Sequence, residues 1–164
     1  MEKINITVDL AGLEKLTKQF PEASEHARRS RITEALLLLE RAVKQLTTEG
    51  AGPIHLRDTI FQQVSLRGES IRGIVGTPAI HGEPVERGTR PHFPPVAPIQ
   101  FWVEKKLGMT GKEAKSVAFL IARAISKRGT KGQHMFQRGF EMNEARVLAI
   151  LEQIPDDICR TVNA

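Results

Sequence analysis

The 164-residue chain has no tyrosine, one tryptophan and one cysteine. Without a second cysteine no intramolecular disulfide can form, and a cluster of thiolates cannot hold a metal within one chain. Without tyrosine, a binding face built on tyrosine anchors is disfavoured. Long apolar runs are missing too: "ALLLL" (Ala35 to Leu39) is the longest aliphatic stretch, far short of the roughly 20 residues that cross a bilayer. The opening "MEKINITVDLAG" has no apolar segment of signal-peptide length, so a protein that is cytosolic, or assembled from the cytosol, is expected.

Catalytic signatures are missing as well. The five histidines, His26, His55, His81, His92 and His134, show no i, i+4 pair and no H-E-x-x-H, so no metal is expected. No G-x-S-x-G elbow occurs. "GMTGKEAKS" fails as a phosphate loop, since Glu113 stands where a magnesium-binding hydroxyl belongs. These gaps exclude the recognisable hydrolase and nucleotide-binding classes, and no cofactor or small-molecule substrate is expected.

What is present reads as one ordinary globular domain, with 40% hydrophobic and 26% charged residues. "KINITVDL" alternates apolar and polar residues, the mark of a half-buried strand. A short helix through Phe20 follows. Pro21 suits a helix start, and Ala23, Ala27, Ala35, Leu36, Leu39, Val43 and Leu46 continue a helical stripe towards Gly50. Leu37 and Leu38 widen it, so this helix is expected to be clasped on two sides. "TIFQQVSLRGESIRGIVGT" reads as two strands turning at Gly68. Helices are then expected within "VAPIQFWVEKKLG" up to Gly108, within "TGKEAKSVAFLIARAISKRG" up to Gly129, and from Met135 to Gln153, where Pro155 stops or kinks the chain. The fold class is α+β: a small antiparallel sheet of about three to four strands against a long N-terminal helix, with a helical C-terminal half. Residues 1–76 form the strand–helix–hairpin part, 77–98 a proline-rich loop and 99–164 the helical part.

That loop is the chain's oddest segment. "VERGTRPHFPPVAP" carries Pro91, Pro94, Pro95 and Pro98 within Val85–Pro98. Proline fixes φ and restrains the residue before it, so such a loop loses little entropy on docking. Val85, Glu86, Arg87, Gly88, Thr89, Arg90, Pro91, His92, Phe93, Pro94 and Pro95 form the candidate interface, with Glu86 and Arg90 as orienting charges and Phe93 as an apolar anchor. Packing on its own subunit and docking on another are both open. "RGTR" (Arg87–Arg90) is echoed by "RGTK" (Arg128–Lys131), where Gly129 is expected to cap a helix, while the first copy follows no obvious helix. The net charge of +5 adds a rival reading, weak nucleic-acid contact through Arg28, Arg29 and Arg31 and through Lys127, Arg128 and Lys131.

The order of short segments resembles one family. "LRDTI", then "GIVGT", "GEPVERGTRPHFPP", "FWVEKK" and "AFLIARAISKRGTKGQHMFQRGF" are similar to the gene-product-ten-like tail-component family of lambdoid siphophages, the head–tail joining, neck or tail-completion proteins. The matching residues are Leu56, Arg57, Thr59 and Ile60; Val75 and Gly76; Val85, Glu86, Gly88, Thr89 and Pro91; and Gly129, Thr130, Lys131 and Phe136. The chain departs from the pattern at "GAGPIH" and "HGEP". The resemblance implies a non-enzymatic virion protein that forms a ring, a hexamer, at the neck or upper tail. Its implied partners are other copies of itself and the adjoining neck and tail-tube proteins, and it would pass through the host cytoplasm during assembly.

Overall fold

The structure is a computed structural model that describes residues 3–7, 14–48, 55–67 and 70–163. The chain divides into two compact units that interleave in sequence: residues 47–59 and 77–135 belong to one, and 3–46, 60–76 and 136–164 to the other.

The second unit is built on α2 (Pro21–Leu46), with α1 (Glu14–Gln19) before it. Pro21 opens α2 as the first helical residue, where its missing N–H costs nothing. One side of α2 faces a three-stranded antiparallel sheet of order β1-β3-β2: β1 (Lys3–Thr7), β2 (Phe61–Arg67) and β3 (Ser70–Gly76). β3 is central, pairing Ile4 with Val75 on one flank and Val64 with Gly73 on the other. Alternation buries Ile71, Gly73 and Val75 on one face. Gly73 lets α2 pack close: a Cβ there would lie 2.8 Å from Leu36 Cδ1 and 3.0 Å from Ile32 Cγ2, and those side chains would have to shift. Ala35, Leu36, Leu39 and Val43 of α2 are fully buried. The expected two-sided clasp is present, since α8 (Glu144–Leu151) and α9 (Ile154–Val162) also pack on α2. There Ala27 meets Ile154 and Ile158, and Arg31 ties α2 to α9 through Asp157.

The expected helix over Met135–Gln153 is instead α7 (Met135–Glu141) and α8, with α9 beyond. Asn143 makes the first break: its side-chain amide donates to the Gly139 carbonyl at 2.9 Å, the kind of local bond that competes with helix continuation. Pro155 opens α9 within its first turn rather than stopping a helix. The turn expected at Gly68 lies outside the described residues, as do residues 8–10 of the expected first strand.

The first unit holds α3 (Leu56–Thr59), α4 (Gly82–Arg87), β4 (Gly88–Thr89), α5 (Val96–Leu107), α6 (Gly111–Arg128) and β5 (Thr130–Lys131). α5 and α6 pack together over Val103, Ala114 and Ala118, with Val96, Ile99, Met109, Val117 and Ile121 around them. The small residues on α6 let the helices approach closely, and Gly108 ends α5 in the left-handed region at φ 69°. The loop expected over Thr77–Pro95 is thus half ordered. It contains α4 and β4, missed because Val85 is the only apolar residue of "GEPVER" apart from its proline, and no stripe can show.

Candidate functional site: an exposed arm on a glycine–threonine ladder

The two "RGT" segments meet. β4 and β5 pair antiparallel, Gly88 opposite Lys131 and Thr89 opposite Thr130. Each follows the last residue of a helix, Arg87 of α4 or Arg128 of α6. Gly88 (φ 79°, ψ −175°) and Gly129 (φ 71°, ψ −160°) adopt the same conformation, a region open almost only to glycine. Close approach demands glycine as well. A Cβ on Gly88 would stand 2.2 Å from the Thr130 carbonyl oxygen, and one on Gly129 1.9 Å from that of Thr89. The two threonine hydroxyls bond each other at 2.9 Å, and the Thr130 amide donates to Thr89 Oγ1 at 3.2 Å. Beyond the ladder, the amides of Gln133 and His134 donate to the carbonyls of Val85 and Glu86 at 2.8 and 3.0 Å.

Val85–Thr89 is therefore fastened to its own chain. Glu86 is buried, 3% exposed, so the orienting role expected for its carboxylate at a subunit contact is corrected to an internal one. Val85, Gly88 and Thr89 are half-buried. The Arg87 side chain is exposed and lies 3.8 Å from Glu83, a spacing of low energetic weight at the surface.

The free part of the segment is shorter. Arg90, Pro91, His92, Phe93 and Pro95 are exposed and Pro94 is half-buried. This arm leaves the ladder at Arg90 and enters α5 at Val96, so both of its ends are fixed. His92 Nδ1 bonds the Arg90 carbonyl oxygen at 2.9 Å. The Phe93 ring rests on Phe119 of α6 with centroids 6.1 Å apart and planes tilted by 57°, a separation within the range of interacting aromatic pairs. Both rings stay about half exposed, Phe93 at 55% and Phe119 at 50%.

The basic residues separate differently from the sequence reading. Arg28 is buried and its Nε donates to the Ser24 carbonyl at 3.1 Å. Arg31 forms a two-pronged bond to Asp157, Nε to Oδ2 at 2.5 Å and Nη2 to Oδ1 at 3.1 Å, and also reaches Glu34. Those bonds hold the Asp157 carboxyl below its usual range and raise Arg31, overcoming the opposing effect of desolvation. Of the three candidate arginines on α2, only Arg29 is exposed; the other two are corrected from DNA-facing groups to parts of the fold. Lys127, Arg128 and Lys131 are exposed. Lys127 and Arg128 edge a shallow hollow of about 450 Å³ with Leu120, Arg123 and Ala124.

Phe119 and Leu120 were missed by the sequence reading. Their signal was present: Phe119 and Leu120 fall outside the buried Ala114, Ala118, Ala122 stripe, so they had to point elsewhere. Among the described residues no group of His, Cys, Asp and Glu is placed to hold a metal ion, and no helix is long and apolar enough to cross a membrane.

Compared with family models, curated proteins and solved structures, the chain gives no match.

Proposed function

We propose that the protein is a non-enzymatic structural component of a tailed-phage virion. It would act by stoichiometric assembly as a homo-oligomeric ring at the neck or upper tail, next to the adjoining neck and tail-tube proteins. The supporting observation is the Arg90–Pro95 arm, held at both ends, stiffened by three prolines and offering Arg90 and Phe93 outward. Such an arm loses little entropy on docking. The motif residues behind the resemblance support the reading from beneath. Leu56 is buried, Thr59 bonds Thr77 at 2.7 Å, and Gly88, Thr89, Gly129 and Thr130 belong to the ladder that carries the arm.

The decisive experiment pairs a deletion of the gene with an Arg90→Glu, Phe93→Ala double variant in the phage. Unjoined heads and free tails should accumulate in both, counted by negative-stain microscopy. Normally joined, infectious virions from the deletion would sink the function; from the double variant alone, they would sink only the arm's role. The nucleic-acid reading retains Lys127, Arg128 and Lys131 but loses Arg28 and Arg31. Duplex binding that persists near physiological salt would favour it.

A further inference from the structure

Charge is unevenly spread along the chain. Residues 87–131 hold ten Lys or Arg and two Glu, a net of +8, so the remainder of this +5 chain carries −3. Within the basic segment, α6 turns one face to α5 through Ala114 and Ala118, and Ala122 is buried on the same stripe. The flank about 100° round the helix carries Lys115, Phe119 and Arg123, all exposed, with Leu120 and Lys127 beside them. Lys115, Phe119 and Arg123 are spaced i, i+4, i+8, a stripe about 12 Å long at 1.5 Å per residue.

α8 carries the complement. Glu144, Leu148 and Glu152 have the same i, i+4, i+8 spacing and are all exposed, Leu148 at 52%. Glu152 just follows α8 but keeps helical geometry, its amide donating to the Leu148 carbonyl. Ala145 and Ala149 lie next to this stripe and leave room for a close approach. Arg146, the basic residue on α8, projects about 160° away from Leu148 at 100° per residue. Among the described residues, no ion pair engages Lys115, Arg123, Glu144 or Glu152.

We infer that these stripes are two halves of one interface between copies of this chain. Leu148 of one copy seats on Phe119 of the next, and Glu144 and Glu152 meet Lys115 and Arg123. Opposite charges at equal spacing around a central apolar side chain fix one register and penalise others. The surfaces differ, so the contact is heterologous and propagates head to tail, closing into a ring where the rotation permits. The inference rests on the proposed self-assembling role and names the surfaces that would perform it.

Its test uses charge exchange on the full chain. Glu144→Lys with Glu152→Lys gives a copy basic on both faces, and Lys115→Glu with Arg123→Glu gives one acidic on both. In sedimentation velocity the native chain should self-associate, and each double variant should dissociate at least about tenfold more readily, as like charges oppose across the contact. Mixed one to one, the two variants should reassemble, because every junction is again complementary. Circular dichroism checks that these exposed changes leave the fold intact. Four results overturn the inference: a native chain monomeric at every concentration reached, variants that associate like it, a mixture that stays dissociated, or duplex DNA bound through Lys115 and Arg123 with the α8 variant indistinguishable from native. If the interface fails while the gene deletion still leaves heads and tails unjoined, the virion role stands without it.

Discussion

Replacing Gly129 by alanine tests whether the ladder is built on backbone proximity. Gly129 and Gly108 both follow a helix and both have φ near 70°. They differ in ψ and in surroundings: a Cβ added at Gly108 would meet nothing within 4 Å, whereas one added at Gly129 would fall 1.9 Å from the Thr89 carbonyl oxygen. Gly108→Ala therefore meets only the left-handed penalty of about 1–2 kcal/mol, less about 0.4–1 kcal/mol from a stiffer unfolded chain. Gly129→Ala meets about 1–3 kcal/mol for a region nearly closed to side chains. It must also push the strands apart, which breaks the two Thr89–Thr130 bonds at roughly 0.5–1.5 kcal/mol each. With the same unfolded-chain offset the sum is about 3 kcal/mol, or a fall in Tm of about 10 °C for a chain of this size. Urea unfolding followed by circular dichroism should separate the two variants by at least about 2 kcal/mol. If they lose the same stability, the close approach at the ladder carries no weight and the arm's support is misassigned.

In the second unit, Leu36→Ala should cost about 2–5 kcal/mol in the same assay, because Leu36 is fully buried against β3. Gly73→Val should cost about 1–3 kcal/mol by overpacking that strand; neutrality would show that α2 and β3 are looser than 2.8 Å implies. Asp157→Asn removes the charged partner of Arg31. Since the Asp157 carboxyl sits below 3.8 when folded, its stabilising effect is present above that value and is lost as pH falls through the lower, folded value. Native and variant should differ at neutral pH and converge under acid, and a constant gap would refute the ion pair's role.

Period and punctuation made much of the fold legible. The stripe on α2, the β2–β3 pair, the small-residue face of α6 and the Gly108 stop could all be read directly, because each depends on neighbours within one element. Pairing between distant segments could not. The "RGT" echo was visible as a repeated string, yet nothing local says that two such strings, with threonines 41 residues apart, hydrogen-bond to each other. α4 escaped because its six residues are held by what surrounds them, including the buried Glu86, and not by an apolar stripe. The candidate surface was half legible: the proline arm could be recognised from composition, but which of its residues face outward depends on the ladder beneath. Arg28 and Arg31 show the reverse error, since arginines clustered in sequence were assigned to the surface when one is buried and the other is paired.

The interleaving of the two units sets an order on synthesis. α2 leaves the ribosome early, with Ala27 on one of its apolar sides, whereas Ile154 and Ile158, which cover that side, are made more than a hundred residues later. At translation rates of about 5–20 residues per second the nascent chain holds this helix partly uncovered for roughly 5–20 s. Folding of that unit is therefore completed only when the C-terminal helices emerge, and until then the half-made protein is a natural client for chaperones. Truncation after α7 should yield an insoluble product rather than a smaller domain.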